Sequence, residues 1–189
     1  MLQNCSRILM SVLFLIIFSA TNYAQPQKGE FINASVGLGV TFPNDQSKFK
    51  ASGLYFQAEY VFCNSSWIAF RPYLGVISTS NTVNESDLPT NYIVTSQAVL
   101  LGGKARFCAP IPYIAPYIDL GLGASIGTFR TFTPQINEKK SGVIPHIPFS
   151  IGLLLGRKHN FDVAFTYYIQ NSISQIAGAA AFGVSFPVD

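Results

Sequence analysis

The stretch that most constrains this chain is Ile114 to Gly127, IAPYIDLGLGASIG. Ile114, Pro116, Ile118, Leu120, Leu122, Ala124 and Ile126 share one parity, and Tyr117, Asp119, Gly121, Gly123, Ser125 and Gly127 share the other. A period of two is the mark of a β-strand with two unlike faces. One face is continuous aliphatic, and the other is glycine, hydroxyl and a carboxylate. A soluble sandwich would cover its solvent face with Lys, Glu and Thr, and this second face is too small and too weakly charged for that. The run is also longer than the roughly five or six residues of a globular strand. It exceeds the 9–11 or so tilted residues that cross a hydrocarbon core. It reads as a membrane-spanning strand with lipid on one side and a narrow lumen on the other.

The beginning of the chain agrees with export. Arg7 is followed by an apolar run from Ile8 to Phe18, and Asn22-Tyr23-Ala24 ends in a small residue before Gln25. Residues 1–24 are expected to be a signal peptide cleaved after Ala24, leaving 25–189 as one domain. An uncleaved anchor would need a longer apolar run. Charged residues make up 11% of the chain, against about 25% in ordinary soluble proteins. Aromatics are 14% and the mean hydropathy is +0.31. Yet beyond the leader no apolar run approaches the roughly 18 residues of a membrane helix. A closed transmembrane β-barrel satisfies its backbone hydrogen bonds without helices, and it is the leading solution. A net charge of +3 is too small to argue for nucleic acid.

Eight segments alternate in the same way, so the fold class is all-β, an eight-stranded antiparallel up-and-down transmembrane barrel. They are Glu30–Phe42, Gly53–Cys63, Trp67–Ser78, Tyr92–Cys108, Ile114–Gly127, Ile144–Gly156, Phe161–Asn171 and a last strand around Ala180–Phe186. Loops at Pro43–Ser52, Thr79–Asn91 and Thr128–Val143 are long, and the connections between them are short. Outer-membrane barrels show this alternation, with the long loops extracellular and the termini periplasmic. The charges well inside strands are Glu59, Arg71, Lys104, Arg106, Asp119 and Asp162, and all of them fall on the non-lipid parity. A charge facing the bilayer midplane costs about 2–4 kcal/mol for Arg or Lys. Inside a narrow barrel these groups are expected to pair, with Glu59 opposite Arg71 and Lys104 approaching Asp119, in a structural plug. Phe62, Trp67, Phe107, Tyr113, Phe161 and Phe186 form the expected interfacial girdle. Pro72, Pro116 and Pro148 predict bulges. Cys63 and Cys108, with a strand between them, are expected to remain free thiols.

FRPYLGV (Phe70 to Val76) and IAPYIDLGLGA (Ile114 to Ala124) share a phrase, Pro-Tyr and an aliphatic residue before alternating glycines. It resembles the small outer-membrane barrels of the OmpA-, OmpX- and OmpW-like superfamily, and the leader ending in Tyr-Ala-Gln looks like those of the Bacteroidetes group. The resemblance implies an integral outer-membrane protein, monomeric, inserted by the barrel-assembly machinery, with lipid around it and extracellular ligands at its long loops. The end departs from the pattern, because Pro187-Val188-Asp189 follows Phe186 where such barrels finish on an aromatic. His146 and His159 show no metal-ligand spacing, and no nucleophile elbow surrounds any serine. Neither an enzyme nor a cofactor is expected. Two other functions fit the pattern: a porin-like barrel passing small or hydrophobic molecules, and a soluble lipocalin-like ligand-binding barrel with the faces inverted.

This topology makes a prediction. Protease added to intact cells should cut within Thr79–Asn91 or Thr128–Val143. Cutting confined to the short connections would invert the orientation.

Overall fold

The computed structural model describes residues 28–43, 50–80, 93–132, 137–170, 172–173 and 175–188. The expected signal peptide 1–24, Tyr92, Asn171 and most of the Pro43–Ser52 and Thr79–Asn91 loops lie outside them. The strands are β1 (Gly29–Pro43), β2 (Ala51–Ser65), β3 (Ile68–Ser80), β4 (Ile93–Cys108), β5 (Ile114–Phe132), β6 (Asn137–Leu155), β7 (Phe161–Ile169) and β8 (Gln175–Pro187). Each pairs antiparallel with its neighbours in sequence, and β1 pairs with β8 to close the barrel.

The alternation that makes these segments strands also sorts their side chains. Leu122 is 73% exposed, Val143 67% and Leu38 65%, whereas the opposite parity is buried. A soluble lipocalin-like barrel needs the reverse arrangement, and the outward apolar face overturns that reading. The aromatics Phe62, Trp67, Phe107, Tyr113, Phe161 and Phe186 are all exposed. They ring the end where β2 turns into β3 at Ser66 and Trp67, and the ends of β1 and β8 meet at this rim.

Two expectations need correction. The Thr128–Val143 loop is mostly ladder: β5 and β6 continue to a Phe132–Asn137 pair. Phe129 and Thr131 stay buried in alternation with exposed Thr128 and Arg130, so the period of two continues along this part of β5. Lys139 and Lys140 sit on the exposed upper part of β6. Nor do the prolines bulge. Register is constant through Pro72 and Pro148, and each leaves a gap in one ladder: opposite Tyr60 and Val61 for Pro72, opposite Gly121 and Leu122 for Pro148. A missing N–H removes a bond without adding a residue. Pro116 pairs with Leu153, and its carbonyl accepts from Ala109 N at 2.9 Å. The shift in the β2–β3 ladder comes instead between Phe62 and Ser65, beside the turn.

The upper part of β6 overhangs. Among the described residues it pairs with β7 only from Ile147 onward, so Asn137–His146 has β5 on one side alone.

Lumen glycines set how closely strands approach. A Cβ on Gly121 would stand 2.1 Å from the carbonyl oxygen of Gly103 on β4 and 2.9 Å from the Cα of Lys104. Gly121→Ala should therefore force β4 and β5 apart at the charged level and destabilise the barrel by about 1–3 kcal/mol. Urea unfolding in lipid vesicles measures this. An unchanged midpoint would mean the strands part freely.

Candidate functional site

Alternation brings side chains from distant segments into one layer across the lumen. The β4–β5 ladder sets Arg106 directly opposite Asp119. Arg106 Nε and Nη2 donate to the two oxygens of Asp119 at 2.7 and 2.8 Å, the planar fork that suits guanidinium and carboxylate. Its third nitrogen, Nη1, lies 3.4 Å from Asp162 Oδ2 on β7. Lys104 Nζ donates to Glu59 Oε1 on β2 at 2.6 Å and stands 3.8 Å from Asp119. Arg71 Nε pairs with the other oxygen of Glu59, and its Nη2 is 3.9 Å from Asp162. Asn33 on β1 donates to Asp162 at 3.4 Å and to Ser185 Oγ on β8 at 2.9 Å.

The charged residues read from the sequence thus meet in one network, but with other partners in register. Glu59 faces Tyr73 across the ladder, and Arg71 reaches it diagonally. Lys104 faces Gly121, leaving Asp119 to Arg106. Both registers differ by two residues from those expected, because the first turn lies at Ser66 and Trp67 rather than around Ser65, and the connection of β4 to β5 runs from Ala109 through Tyr113 rather than ending at Pro112. A shift of two keeps every side chain on its face, so the layer survives while the pairs change.

The six ionic residues are between 0% and 5% exposed. Arg71, Lys104 and Arg106 balance Glu59, Asp119 and Asp162, so the layer is formally neutral. Desolvating so many charges costs several kcal/mol per ion, which short multiple contacts must offset. The Arg106 guanidinium also lies 3.4 Å over the Tyr117 ring, a further attraction for a desolvated cation.

Next to the ions lies a polar layer that the sequence reading did not assemble. Gln57 Nε2 donates to Glu59, and the hydroxyls of Tyr55 and Tyr168 reach Gln57 Oε1 at 2.6 and 2.7 Å. His146 links Tyr73 OH through Nε2 to Ser125 Oγ through Nδ1, the latter at 2.7 Å, and Gln170 donates to the same Ser125 Oγ. Ser125 and His146 have the spacing of a nucleophile and its base. However, Ser125 is wholly buried and already held by Gln170, and a tyrosine, not a carboxylate, meets the far ring nitrogen. The pair orders the interior. Tyr55, Tyr73 and Tyr168 belong in turn to a buried apolar cluster that includes Ile77, Leu100, Phe129 and Ile144. Their shared lumen parity was readable, but their heights depend on registers that parity does not fix.

A closed eight-stranded barrel, apolar outside and ionic within, is the architecture of small outer-membrane barrels. The fold is similar to that of Neisserial surface protein A, with a TM-score of 0.60 at 13% identity over 85% of this chain and 98% of that one. It is also similar to the outer membrane protein OprG from Pseudomonas aeruginosa, with a TM-score of 0.50 at 11% identity over 88% and 100%. The N-terminal β-barrel domain of Pseudomonas aeruginosa OprF gives 0.50 at 10% identity over 84% and 98%. No protein-family model and no curated protein sequence matches the chain.

Removing one member of the Arg106–Asp119 pair should expose the other as an uncompensated buried charge. Arg106→Gln or Asp119→Asn is expected to destabilise by about 3–5 kcal/mol, and the double variant by less than the sum of the two. Unfolding in vesicles of all four proteins completes the cycle. Additive losses would mean that the two groups do not interact.

Proposed function

We propose that the chain is an integral outer-membrane protein whose lumen is closed by its own charges and whose role is structural or surface-interacting. The observation that carries this reading is Arg106, which bridges Asp119 on β5 and Asp162 on β7 inside a barrel with an apolar exterior. Such an exterior suits lipid as solvent, since closure leaves no unpaired strand edge across the hydrocarbon. The likeness to the barrels of Neisserial surface protein A, OprG and OprF supports the same location. The leader pattern at 1–24 supports export. The meeting of the β1 and β8 ends at the short-turn rim supports periplasmic termini and extracellular long loops. Insertion then falls to the barrel-assembly machinery, and a surface ligand would meet the loops of a monomer. The site residues Glu59, Arg71, Lys104, Arg106, Asp119 and Asp162 hold the lumen shut and perform no catalysis.

Planar-bilayer recording tests the closed lumen against the porin-like alternative. The wild-type barrel, shown to be folded by faster gel migration before heating than after, should give no steady conductance. A stable conductance whose ion selectivity changes in Glu59→Gln or Arg71→Gln, at unchanged stability, would replace the plug with a wet channel.

A further inference from the structure

At the short-turn rim the lumen opens into a pocket with about 530 Å³ of free space continuous with solvent. Its floor is Arg71 and Arg106, and its wall includes Cys63, Cys108, Lys158 and His159. No Asp or Glu is among the described residues that line it, so the pocket sees the cationic side of the neutral layer.

Two buried groups there lack hydrogen-bond partners. Arg71 is 3% exposed; its Nε pairs with Glu59, but its Nη2 makes no hydrogen bond and lies 3.9 Å from Asp162 Oδ2. His159 is 5% exposed; its Nε2 lies 3.1 Å from the carbonyl oxygen of Ile111, and its Nδ1 has no partner. That carbonyl only accepts, so Nε2 carries the proton and Nδ1 presents a bare lone pair. His159 sits at a φ of 54°, the left-handed region that Asn, Asp and His enter more often than other non-glycine residues, beside the short turn that carries it into the pocket wall. A buried polar group left without a partner is costly to folding. Here the costs converge on one pocket.

We propose that this rim pocket binds a phosphate-class oxyanion that carries one O–H. Arg71 Nη2 donates to an unprotonated oxygen, the ligand hydroxyl donates to His159 Nδ1, and Lys158 adds positive charge at the mouth. Burial holds His159 below the ordinary imidazole pKa, opposed by its bond to Ile111, which keeps Nδ1 an acceptor at neutral pH. The site depends on the barrel fold and not on whether the lumen conducts.

The test is NMR of the isotope-labelled chain in phosphatidylcholine nanodiscs at pH 7.5. Inorganic phosphate should move the His159 ring and Arg71 side-chain signals saturably. Sulfate, which has no hydroxyl at that pH, should bind about tenfold more weakly. His159→Gly, which relieves the backbone and removes the acceptor, should bring phosphate down to the sulfate level. Lys158→Gln, at an exposed position, should weaken both anions. Shifts that appear only when phosphatidic acid is built into the discs would make the ligand a lipid headgroup of the same chemistry. Silence toward both sources, or equal affinity for phosphate and sulfate in the wild type, would overturn the proposal. Heat-dependent gel migration confirms that each variant is folded.

Discussion

Everything in this molecule depends on the pairing of β1 with β8. A polar backbone surrounded by apolar side chains has to meet its own hydrogen-bonding needs, because an unpaired amide or carbonyl in hydrocarbon costs several kcal/mol. Closing the ladder meets that need at any strand composition, and it frees the outer face to be aliphatic. The same closure shrinks the inside. Eight strands enclose room for side chains and little else, so whatever points inward has to pack, pair or be absent. The glycines of β5 and the ion pairs beside them are two answers to that crowding.

Hydrophobic patterning alone would leave such a barrel loosely specified. A slip of two residues keeps every apolar side chain facing outward, so parity offers no resistance to it. The ions do. Moving β5 by two against β4 would take Asp119 from Arg106 to Lys104 and lose the two-bond fork. Buried pairs are often no more stabilising than apolar replacements, and fixing register is their best-attested use. The layer formed by Glu59, Arg71, Lys104, Arg106, Asp119 and Asp162 is placed to do that on β2, β3, β4, β5 and β7 together.

The strands and their faces were legible because a period of two runs through most of each strand, prolines included. Leu38, Leu122 and Phe165 point outward for the same reason that Asn33, Asp119 and Thr166 point inward. What the sequence does not carry is height. Whether Glu59 meets Arg71 squarely or diagonally depends on which two residues make the turn, and Ser65, Ser66 and Trp67 offer no glycine or proline to mark it. The assembly of Tyr73, His146 and Ser125 escaped for the same reason, since its members come from β3, β6 and β5. The extension of β5 and β6 was hidden differently. Lys139, Lys140 and Gly142 have loop-like composition, and only the continuing alternation of Phe129 and Thr131 gave the strand away.

The overhang of β6 has a consequence for how copies of this barrel behave when crowded. Among the described residues the strand is paired on one side only from Asn137 to His146, and open edges are templates on which a neighbour's strand can add. Its sequence works against that. Lys139 and Lys140 place like charge along the edge, and Lys140 Nζ is turned onto the Ser172 carbonyl at 2.6 Å. Gly142, at a φ of 126°, bends the backbone, and Pro145 withholds a donor. The part of the barrel that rises clear of its neighbours is therefore the part least suited to zip onto another molecule, and the protrusion keeps an isolated wall from becoming the seed of a shared sheet.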